Sequence, residues 1–379
     1  MDRRAFLRAG GLSGLALTAG AALAACGSSS GGSSGKSGKS KPLIKYGTPV
    51  ASSNVFFAWY AIADKLGYFE EENVSSAVTT VATPTPLIQS GGVNAGVSAG
   101  AEFLPFVAAN PSTDLISMWT QVPGSDVPYY WIVVPANSPV QSFKDLAGKK
   151  IGVIGASTSP WYVVDAVAQA NGMDPNKDIH KTVVPAGAAL IQAFKTGQIA
   201  AGAYVDAQVI AVNEALAGSP LVPLRLLELP SSLQKMGGGV NLMRRSTLEK
   251  NMDLYVGYNR ALAKAFVFIN ANVQAGMAIH LETFPTLQKA GESKEAAITR
   301  LVSEVQPRLN ESKQPSWSTA DHPWGWTYPE NFQVWLDVLP SLQGKNIDVN
   351  KLFTNDVVTA AYNFDVAAIQ QQAQNYKVS

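Results

Sequence analysis

The sequence predicts an α/β protein with two similar lobes, and three observations support this prediction. The chain has 379 residues, which is more than one hydrophobic core usually holds. Beyond residue 41, short β-rich runs alternate with stretches of helical spacing, a pattern typical of parallel α/β architecture. Residues 87–109 also resemble residues 190–215, and both segments predict a helix, a short strand, a small-residue loop and a second helix. A ligand is then expected between the lobes.

The individual elements follow from local composition and spacing. Strands are predicted where β-branched and aromatic residues concentrate, and helices where apolar residues recur every three to four positions. Gly67 and Gly172 mark two helix ends, because glycine readily adopts the left-handed conformation found there. The predicted strands are residues 43–47, 75–81, 95–99, 115–121, 129–135, 149–155, 182–185, 200–204 and 240–244. The predicted helices are residues 55–65, 86–91, 103–109, 161–171, 188–196, 205–217, 261–275, 294–305, 329–336 and a tail after 355.

The composition excludes several classes of protein. Hydrophobic residues make up 46% of the chain and charged residues 15%, against about 25% charged in a typical soluble protein. No apolar run beyond the N-terminus reaches the ~18 residues that span a bilayer. Apolar residues are too frequent for a disordered chain, and one cysteine excludes a disulfide scaffold and a cysteine-rich zinc site.

The first 41 residues predict export and membrane anchoring. Residues 1–25 combine a basic start with an apolar stretch, which is the pattern of a signal peptide. Arg3 and Arg4 resemble the twin-arginine export motif, although a Sec signal fits as well. The sequence LAAC, which ends at Cys26, resembles a bacterial lipobox, so Cys26 is the predicted lipidation site. Residues 26–41 then form a Gly/Ser-rich linker after the lipidated cysteine, a tether of about 20 Å.

The charge of the remaining chain argues against a nucleic-acid partner. The leader and linker hold six of the 29 basic residues and one of the 28 acidic residues, so the rest has a net charge of −4. A basic footprint for nucleic acid is therefore not expected.

Three segments resemble one family of transport proteins. Residues 57–69 read FAWYAIADKLGYF, residues 142–153 read SFKDLAGKKIGV, and residues 189–202 read ALIQAFKTGQIAAG, which corresponds to a family segment A-L-x-x-G-x-I-D-A. Together they resemble the substrate-binding proteins of ABC importers, specifically the nitrate/sulfonate/taurine-binding group (SsuA/TauA-like, NMT1/THI5-like). Asn94 and Ala200 stand where this family usually has aspartate.

The resemblance implies a periplasmic-binding-protein type II-like fold, in which two α/β lobes are joined by a hinge around a ligand cleft. Lobe 1 would comprise residues 42–128 plus 240–379, and lobe 2 residues 130–238. The chain would cross near Tyr129 and again near the glycines at 237–239, which suit either a hinge or a tight turn. A small-molecule ligand, ABC permease subunits and the membrane are the implied partners of an expected monomer.

Candidate ligand-binding residues lie in loops that join a strand to the next helix. Ligands of parallel α/β sheets bind beyond the carboxyl ends of strands, where helix amino termini attract anions. Each loop is open to a second interpretation as plain helix capping. The candidates are Ser53, Asn54 and Phe56 in one loop, Gly100 and Glu102 in a second, Ser157, Thr158, Ser159 and Trp161 in a third, and Tyr204 and Asp206 in a fourth.

The residues of these loops also limit which functional groups the ligand is expected to carry. An acid in a first helical turn is favourable without any ligand, but if Glu102 or Asp206 faces the cleft, the ligand should carry an amine or ring N–H. None of the four loops contains arginine, which argues against a dicarboxylate held by bidentate pairs. Residues 321–326 contain two tryptophans and either cap the cleft or pack on the surface.

These observations favour solute binding over catalysis. The three histidines lack metal-site spacing, no phosphate-binding glycine motif occurs, and neither a cofactor nor a metal is expected. One branch of the family is enzymatic and uses a cysteine-rich motif, for which this chain has no cysteine left after Cys26. The expected ligand is a small organic anion such as an alkanesulfonate or a taurine-like compound. A thiamine-pyrimidine or another heteroaromatic compound is the alternative, and a ligand-sensing lipoprotein without a transport role is the alternative class.

Overall fold

The computed structural model describes residues 41–123, 129–156, 158–216, 223–229, 233, 235–315, 318 and 321–378. The predicted signal peptide, Cys26 and nearly all of the linker lie outside the described residues, as does Ser157. The ten strands of the described residues are β1 (Leu43–Thr48), β2 (Ser75–Thr80), β3 (Ala95–Ser98), β4 (Leu115–Val122), β5 (Tyr130–Pro135), β6 (Lys150–Val153), β7 (His180–Val183), β8 (Ala201–Val205), β9 (Leu224–Leu226) and β10 (Gly238–Arg244).

The strands form two mixed sheets, one in each lobe. The first sheet has the order β2-β1-β3-β10-β4 and the second the order β7-β6-β8-β5-β9. In the first, β1 is parallel to β2 and β3, whereas β10 is antiparallel to β3 and β4. In the second, β6 is parallel to β7 and β8, whereas β5 is antiparallel to β8 and β9.

The parallel α/β arrangement expected from the sequence is interrupted at two strands, β5 and β10. Both β5 and β10 are the first strands that the chain forms after leaving the other sheet. No crossover helix within their own sheet precedes them, so the rule that makes βαβ strands parallel does not apply. The sequence prediction also missed β9, which has only three residues.

The helices pack on both sheets. The described residues form α1 (Ala58–Lys65), α2 (Tyr68–Glu71), α3 (Pro84–Gln89), α4 (Gly100–Ala109), α5 (Ser159–Ala170), α6 (Ala188–Lys195), α7 (Asp206–Leu216), α8 (Arg245–Lys250), α9 (Met252–Ala271), α10 (Val273–Thr283), α11 (Lys294–Glu311), α12 (Glu330–Val338), α13 (Asp356–Ala361) and α14 (Val366–Gln374). None of them is long and apolar enough to cross a membrane.

Two helix boundaries differ from the sequence prediction and affect the site. The helix predicted at 261–275 is divided at Asn272, whose side-chain oxygen accepts a hydrogen bond from the backbone N–H of Ala275 and caps α10. The helix predicted at 294–305 continues through Pro307 to Glu311. This additional length of α11 brings two charged side chains to the interior.

The internal repeat corresponds to equivalent positions in the two sheets. The first copy contains α3, β3 and α4, and the second contains α6, β8 and α7. β3 and β8 are each the third strand of their sheet. The loops that follow these two strands therefore occupy related places in the two lobes.

Asn241 is a buried polar residue on β10 of the first sheet. It lies at a register shift between β10 and β4, and its side-chain nitrogen donates to the carbonyl oxygens of Trp119 and Gly239 at 3.3 and 2.9 Å. Its side-chain oxygen accepts a hydrogen bond from the Tyr46 hydroxyl. Asn241 thereby links β1, β4 and the start of β10, where the chain returns from the second lobe.

We expect Tyr46→Phe to lower the free energy of unfolding by about 1–3 kcal/mol, because it leaves the buried Asn241 oxygen without its donor. Tyr376→Phe, at a half-buried position, is the matched control and should stay within about 0.5 kcal/mol of the parent. Urea denaturation measures both. Equal effects of the two substitutions would contradict the role assigned to Asn241.

Candidate functional site

A cavity of about 990 Å³ lies between the two sheets. This volume is at the upper end of the range typical of small-molecule sites. Its walls combine aromatic and aliphatic side chains with a smaller set of polar groups from both lobes. The polar residues that line it are Thr48, Ser53, Asn54, Thr83, Thr85, Ser98, Glu102, Gln121, Tyr129, Tyr130, Thr158, Ser159, Tyr162, Gln208, Glu304 and Arg308.

The structure brings six of the sequence-predicted residues to this cavity. They are Ser53, Asn54, Phe56, Glu102, Thr158 and Ser159. Several of their polar groups already form hydrogen bonds within the protein. The Asn54 side chain accepts a hydrogen bond from the Phe56 N–H at 3.0 Å, and the Thr158 hydroxyl donates to the Gly155 carbonyl at 2.8 Å. These two loops therefore combine capping with a place in the cavity wall.

Gly100 and Trp161 do not line the cavity, which corrects their prediction as ligand contacts. A Cβ at Gly100 would lie 2.4 Å from Cδ1 of Trp335, so this glycine permits α4 to pack closely against α12. Trp161 lies beside Lys181, whose Nζ is 4.4 Å from the centre of the ring. Tyr162, the next residue along α5, contacts the cavity instead.

Tyr204 and Asp206 are also behind the cavity wall. Tyr204 is fully buried, and its hydroxyl donates to the carbonyl of Val184 at 2.7 Å. Asp206 is fully buried at the start of α7. The strand and helix amino terminus predicted there are present, but the side chains point into the packing of lobe 2 and its contact with α11.

Glu102 connects the two lobes across one end of the cavity. Its Oε1 accepts hydrogen bonds from the backbone N–H of Ser159 at 3.2 Å and from the Ser159 hydroxyl at 2.8 Å. Burial raises the pKa of Glu102, and the two hydrogen bonds from Ser159 oppose this rise. The contact joins the first turn of α4 in lobe 1 to the first residue of α5 in lobe 2.

Arg308 is a cavity residue that the sequence prediction missed. Its side chain is 1% exposed, and its Cζ lies 3.8 Å from the ring centre of Phe56 and 4.4 Å from that of Tyr129. Burial disfavours the charge of Arg308, but Tyr129 and the carboxyl groups of Asp206 and Glu311 favour it, and its pKa is raised. The guanidinium group therefore remains charged in the wall of the cavity.

The buried carboxyl groups near Arg308 belong to both lobes. Glu311 is fully buried, and its Oε2 lies 3.7 Å from Nη1 of Arg308. Burial and the neighbouring Asp206 carboxylate raise the pKa of Glu311 well above its usual value, against the opposing effect of Arg308. Arg308 is therefore flanked by two buried acids, Glu311 on its own helix and Asp206 on α7.

A sequence signal for Arg308 existed, although it lay outside the loops. Ala297, Leu301, Val305 and Arg308 follow one another at helical spacing and are all buried on α11. A charged residue in an otherwise apolar stripe indicates a buried polar function. Arg308 lies within a helix rather than in a strand–helix loop, and the four candidate loops contain no arginine.

Three buried donor groups in the cavity wall lack hydrogen-bond partners of good geometry. They belong to Gln121, Tyr130 and Arg308, through Nε2, the hydroxyl, and Nε with Nη1. Their side chains form a continuous corner, because Arg308 contacts Tyr129 and the rings of Tyr129 and Tyr130 are 4.6 Å apart. Buried donors are rarely left unpaired in proteins, so this corner is suited to an acceptor-rich group of a ligand.

The tryptophan loop at 321–326 does not reach this cavity. Trp324 stacks on Phe266 with ring centres 4.0 Å apart, and Trp326 stacks on His322 at 3.9 Å. They line a separate cavity of about 380 Å³ in lobe 1. The position of the two tryptophans therefore agrees with packing on the surface of lobe 1, and it does not agree with capping of the cleft.

Within the described part of the chain, no group of acidic, histidine or cysteine side chains is placed to hold a metal.

Comparison with known proteins agrees with this architecture. The NMT1/THI5-like family matches residues 54–272, more than half of the chain. The chain belongs to this family.

Solved structures similar to this NMT1/THI5-like chain share its fold. A protein from Bordetella bronchiseptica RB50 is 17% identical, with a TM-score of 0.60 and coverage of 89% of this chain and 99% of the other. The periplasmic nitrate-binding protein NrtA from Synechocystis PCC 6803 is 15% identical, with a TM-score of 0.55 and coverage of 86% and 90%. The aliphatic sulphonate binding protein SsuA from Escherichia coli is 18% identical, with a TM-score of 0.51 and coverage of 69% and 83%. The predicted two-lobed α/β fold is thus confirmed.

One relative that is similar in sequence is named as an enzyme rather than as a binding protein. The 4-amino-5-hydroxymethyl-2-methylpyrimidine phosphate synthase of Legionella pneumophila is 27% identical over 135 residues. The match spans 35% of this NMT1/THI5-like chain and 40% of the relative.

His280 holds the loop of Ser53, which lines the cavity, through a hydrogen bond. Its Nε2 donates to the Ser53 carbonyl at 2.9 Å, and burial lowers its pKa from 6.5 to about 4. Below pH 6.5 the unfolded chain takes up a proton that the native protein takes up only near pH 4. Native stability from this group is therefore complete above pH 6.5 and is lost as the pH falls towards 4.

We expect the stability difference between the parent and His280→Gln to shrink by about 3 kcal/mol between pH 7.5 and pH 4. Urea denaturation across this pH range measures the difference. His180→Gln, at an exposed position of β7, is the matched control for the histidine-to-glutamine exchange. A constant difference for His280→Gln would contradict a buried neutral imidazole.

Proposed function

We propose that this protein is an extracytoplasmic solute-binding lipoprotein of an ABC importer, which binds a small organic anion such as an alkanesulfonate or a taurine-like compound. The observation that carries the proposal is the corner of Gln121, Tyr130 and Arg308, three residues in the wall of a cavity of about 990 Å³ that carry buried donor groups without hydrogen-bond partners. A sulfonate or carboxylate supplies only acceptors and would complete their hydrogen bonds. The fold shared with sulphonate- and nitrate-binding proteins supports solute binding as the general role.

The ligand would act by stabilising the closed arrangement of the lobes. In this proposal lobe 1 comprises residues 42–128 plus 240–379, lobe 2 comprises residues 130–238, and the segments between them form the hinge. A Cβ at Gly238 would lie 2.3 Å from Cε1 of Tyr129, and Gly239 has φ +71° beside Gln121, so glycine fits this crossing closely. A ligand that contacts both lobes favours closure by its difference in affinity for the two states. The closed monomer would then deliver the bound ligand to the permease subunits.

A heteroaromatic ligand such as a thiamine-pyrimidine is the second candidate. The match to the Legionella pneumophila synthase supports it, as do the aromatic rings of Phe56, Tyr129 and Tyr162 in the cavity wall. Catalysis is not part of the proposal, because the chain's single cysteine is the predicted lipidation site, Cys26. A sensing role without transport would differ by the absence of neighbouring permease and ATPase genes.

A thermal-shift screen against sulfonates, nitrate, pyrimidines and aromatic acids tests the proposed ligand class. A ligand at 100 times its Kd should stabilise the protein by about 2.7 kcal/mol. Stabilisation by pyrimidines but not by sulfonates would favour the second candidate. Absence of any shift with the whole panel would contradict the proposed function.

We expect Gln121→Met to weaken binding of the best sulfonate about ten- to a hundred-fold, because it removes a donor to a charged group. The Nε2 atom has no partner in the ligand-free protein, so the substitution should change the unfolding temperature little. Gln192→Met, at an exposed position of α6, is the matched control and should bind as the parent does. Calorimetric titration measures the affinities, and an unchanged Kd for Gln121→Met would remove this corner from the site.

We expect Cys26→Ser to release the protein from the membrane fraction, because the proposed lipid is attached to this sulfur. Fractionation of cells followed by immunoblotting measures the distribution. A conservative serine change in the linker, Ser30→Ala, should leave the protein bound. Retention of Cys26→Ser in membranes would contradict the lipid anchor.

A further inference from the structure

The backbone N–H groups in the first turn of α5, those of Ser159, Trp161 and Tyr162, are already used within the protein. The Ser159 N–H binds Glu102, and Pro160 has no N–H. The N–H groups of Trp161 and Tyr162 both donate to the Thr158 carbonyl, at 2.9 and 3.3 Å. This helix end was expected from the sequence to bind the acidic group of a ligand, but a carboxylate of the protein occupies it instead.

Glu102 has the properties of an internal anion at this position. It lies in the first turn of α4 on lobe 1, lines the cavity, and uses Oε1 for both hydrogen bonds to Ser159 on lobe 2. A negative charge is favourable at a helix amino terminus, and a buried carboxylate is held more firmly than an exposed one. The contact therefore joins the lobes in the absence of any ligand.

The same carboxylate also affects which ligands fit. Arg308, Gln121 and Glu102 line the same cavity, and Tyr130 is influenced by both the positive charge of Arg308 and the negative charge of Glu102 bound at the start of α5. A ligand with a second negative group directed towards α5 would meet like charge in a partly dry site. A ligand with a neutral or positively charged N–H group at that end would not.

We propose that Glu102 is a specificity-determining residue, which latches the two lobes through the amino terminus of α5 and rejects ligands that carry a second anionic group at that end. The rejection of ligands with a second anionic group rests on the proposed function. The hydrogen-bonded contact between Glu102 and Ser159, which we call the latch, does not. The two parts are therefore tested by separate measurements.

The latch is tested in ligand-free protein by amide hydrogen exchange of residues 159–162. Glu102→Ala should increase exchange in this turn about ten-fold, because it removes the acceptor of the Ser159 N–H. Glu295→Ala changes an exposed acid in the first turn of α11 and should leave the α5 turn unaffected. Unchanged exchange in Glu102→Ala would overturn the latch.

The selectivity is tested with two probes of equal chain length, 3-aminopropane-1-sulfonate and propane-1,3-disulfonate. The parent should prefer the aminosulfonate by about ten-fold or more. Glu102→Gln keeps an oxygen that accepts from Ser159 but loses the charge, so its preference should fall by about ten-fold. An unchanged preference would overturn the role of Glu102 in specificity. If the parent binds neither probe nor any member of the sulfonate panel, the proposed function fails, and the exchange experiment still decides the latch.

Discussion

The buried charge of Arg308 is the constraint on which the arrangement of the lobes depends. A guanidinium group that is 1% exposed must be compensated, since an uncompensated buried charge would be strongly destabilising. Compensation comes from Glu311 on the same helix, from Asp206 on α7 in the other lobe, and from two aromatic faces. The extension of α11 past Pro307 and its packing against α7 bring these groups together.

A second polar contact between the lobes, Glu102 with Ser159, borders the same cavity. Around these two contacts, apolar packing continues from lobe to lobe: Tyr130 of β5 packs edge-on against Trp335 of α12, with ring centres 5.9 Å apart. Among the cavity-lining residues that the structure describes, buried donor atoms without hydrogen-bond partners belong to Gln121, Tyr130 and Arg308. These unpaired donors are the physical basis for placing the ligand anion at the corner.

The sequence predicted the order of strands and helices closely, because hydrophobic period and glycine positions are local signals. The loops of Asn54 and Ser159, which the sequence proposes as ligand-binding, line the cavity, since helix starts after strands are also local features. The sequence could not show that the donors of α5 are used by Glu102, which is 57 residues away along the chain. It also missed Arg308, because a residue far along the chain reaches the cavity only through the packing of α11. The antiparallel direction of β5 and β10 depends likewise on chain crossings between sheets rather than on local pattern.

A crystal structure of the protein with 3-aminopropane-1-sulfonate tests the central claim most directly, because it locates the anionic group. The account predicts sulfonate oxygens within hydrogen-bond distance of Arg308 and Gln121, with Glu102 still bound to Ser159. A sulfonate on Ser159 with Glu102 displaced, or a cavity that contains only water at saturating ligand, would contradict it.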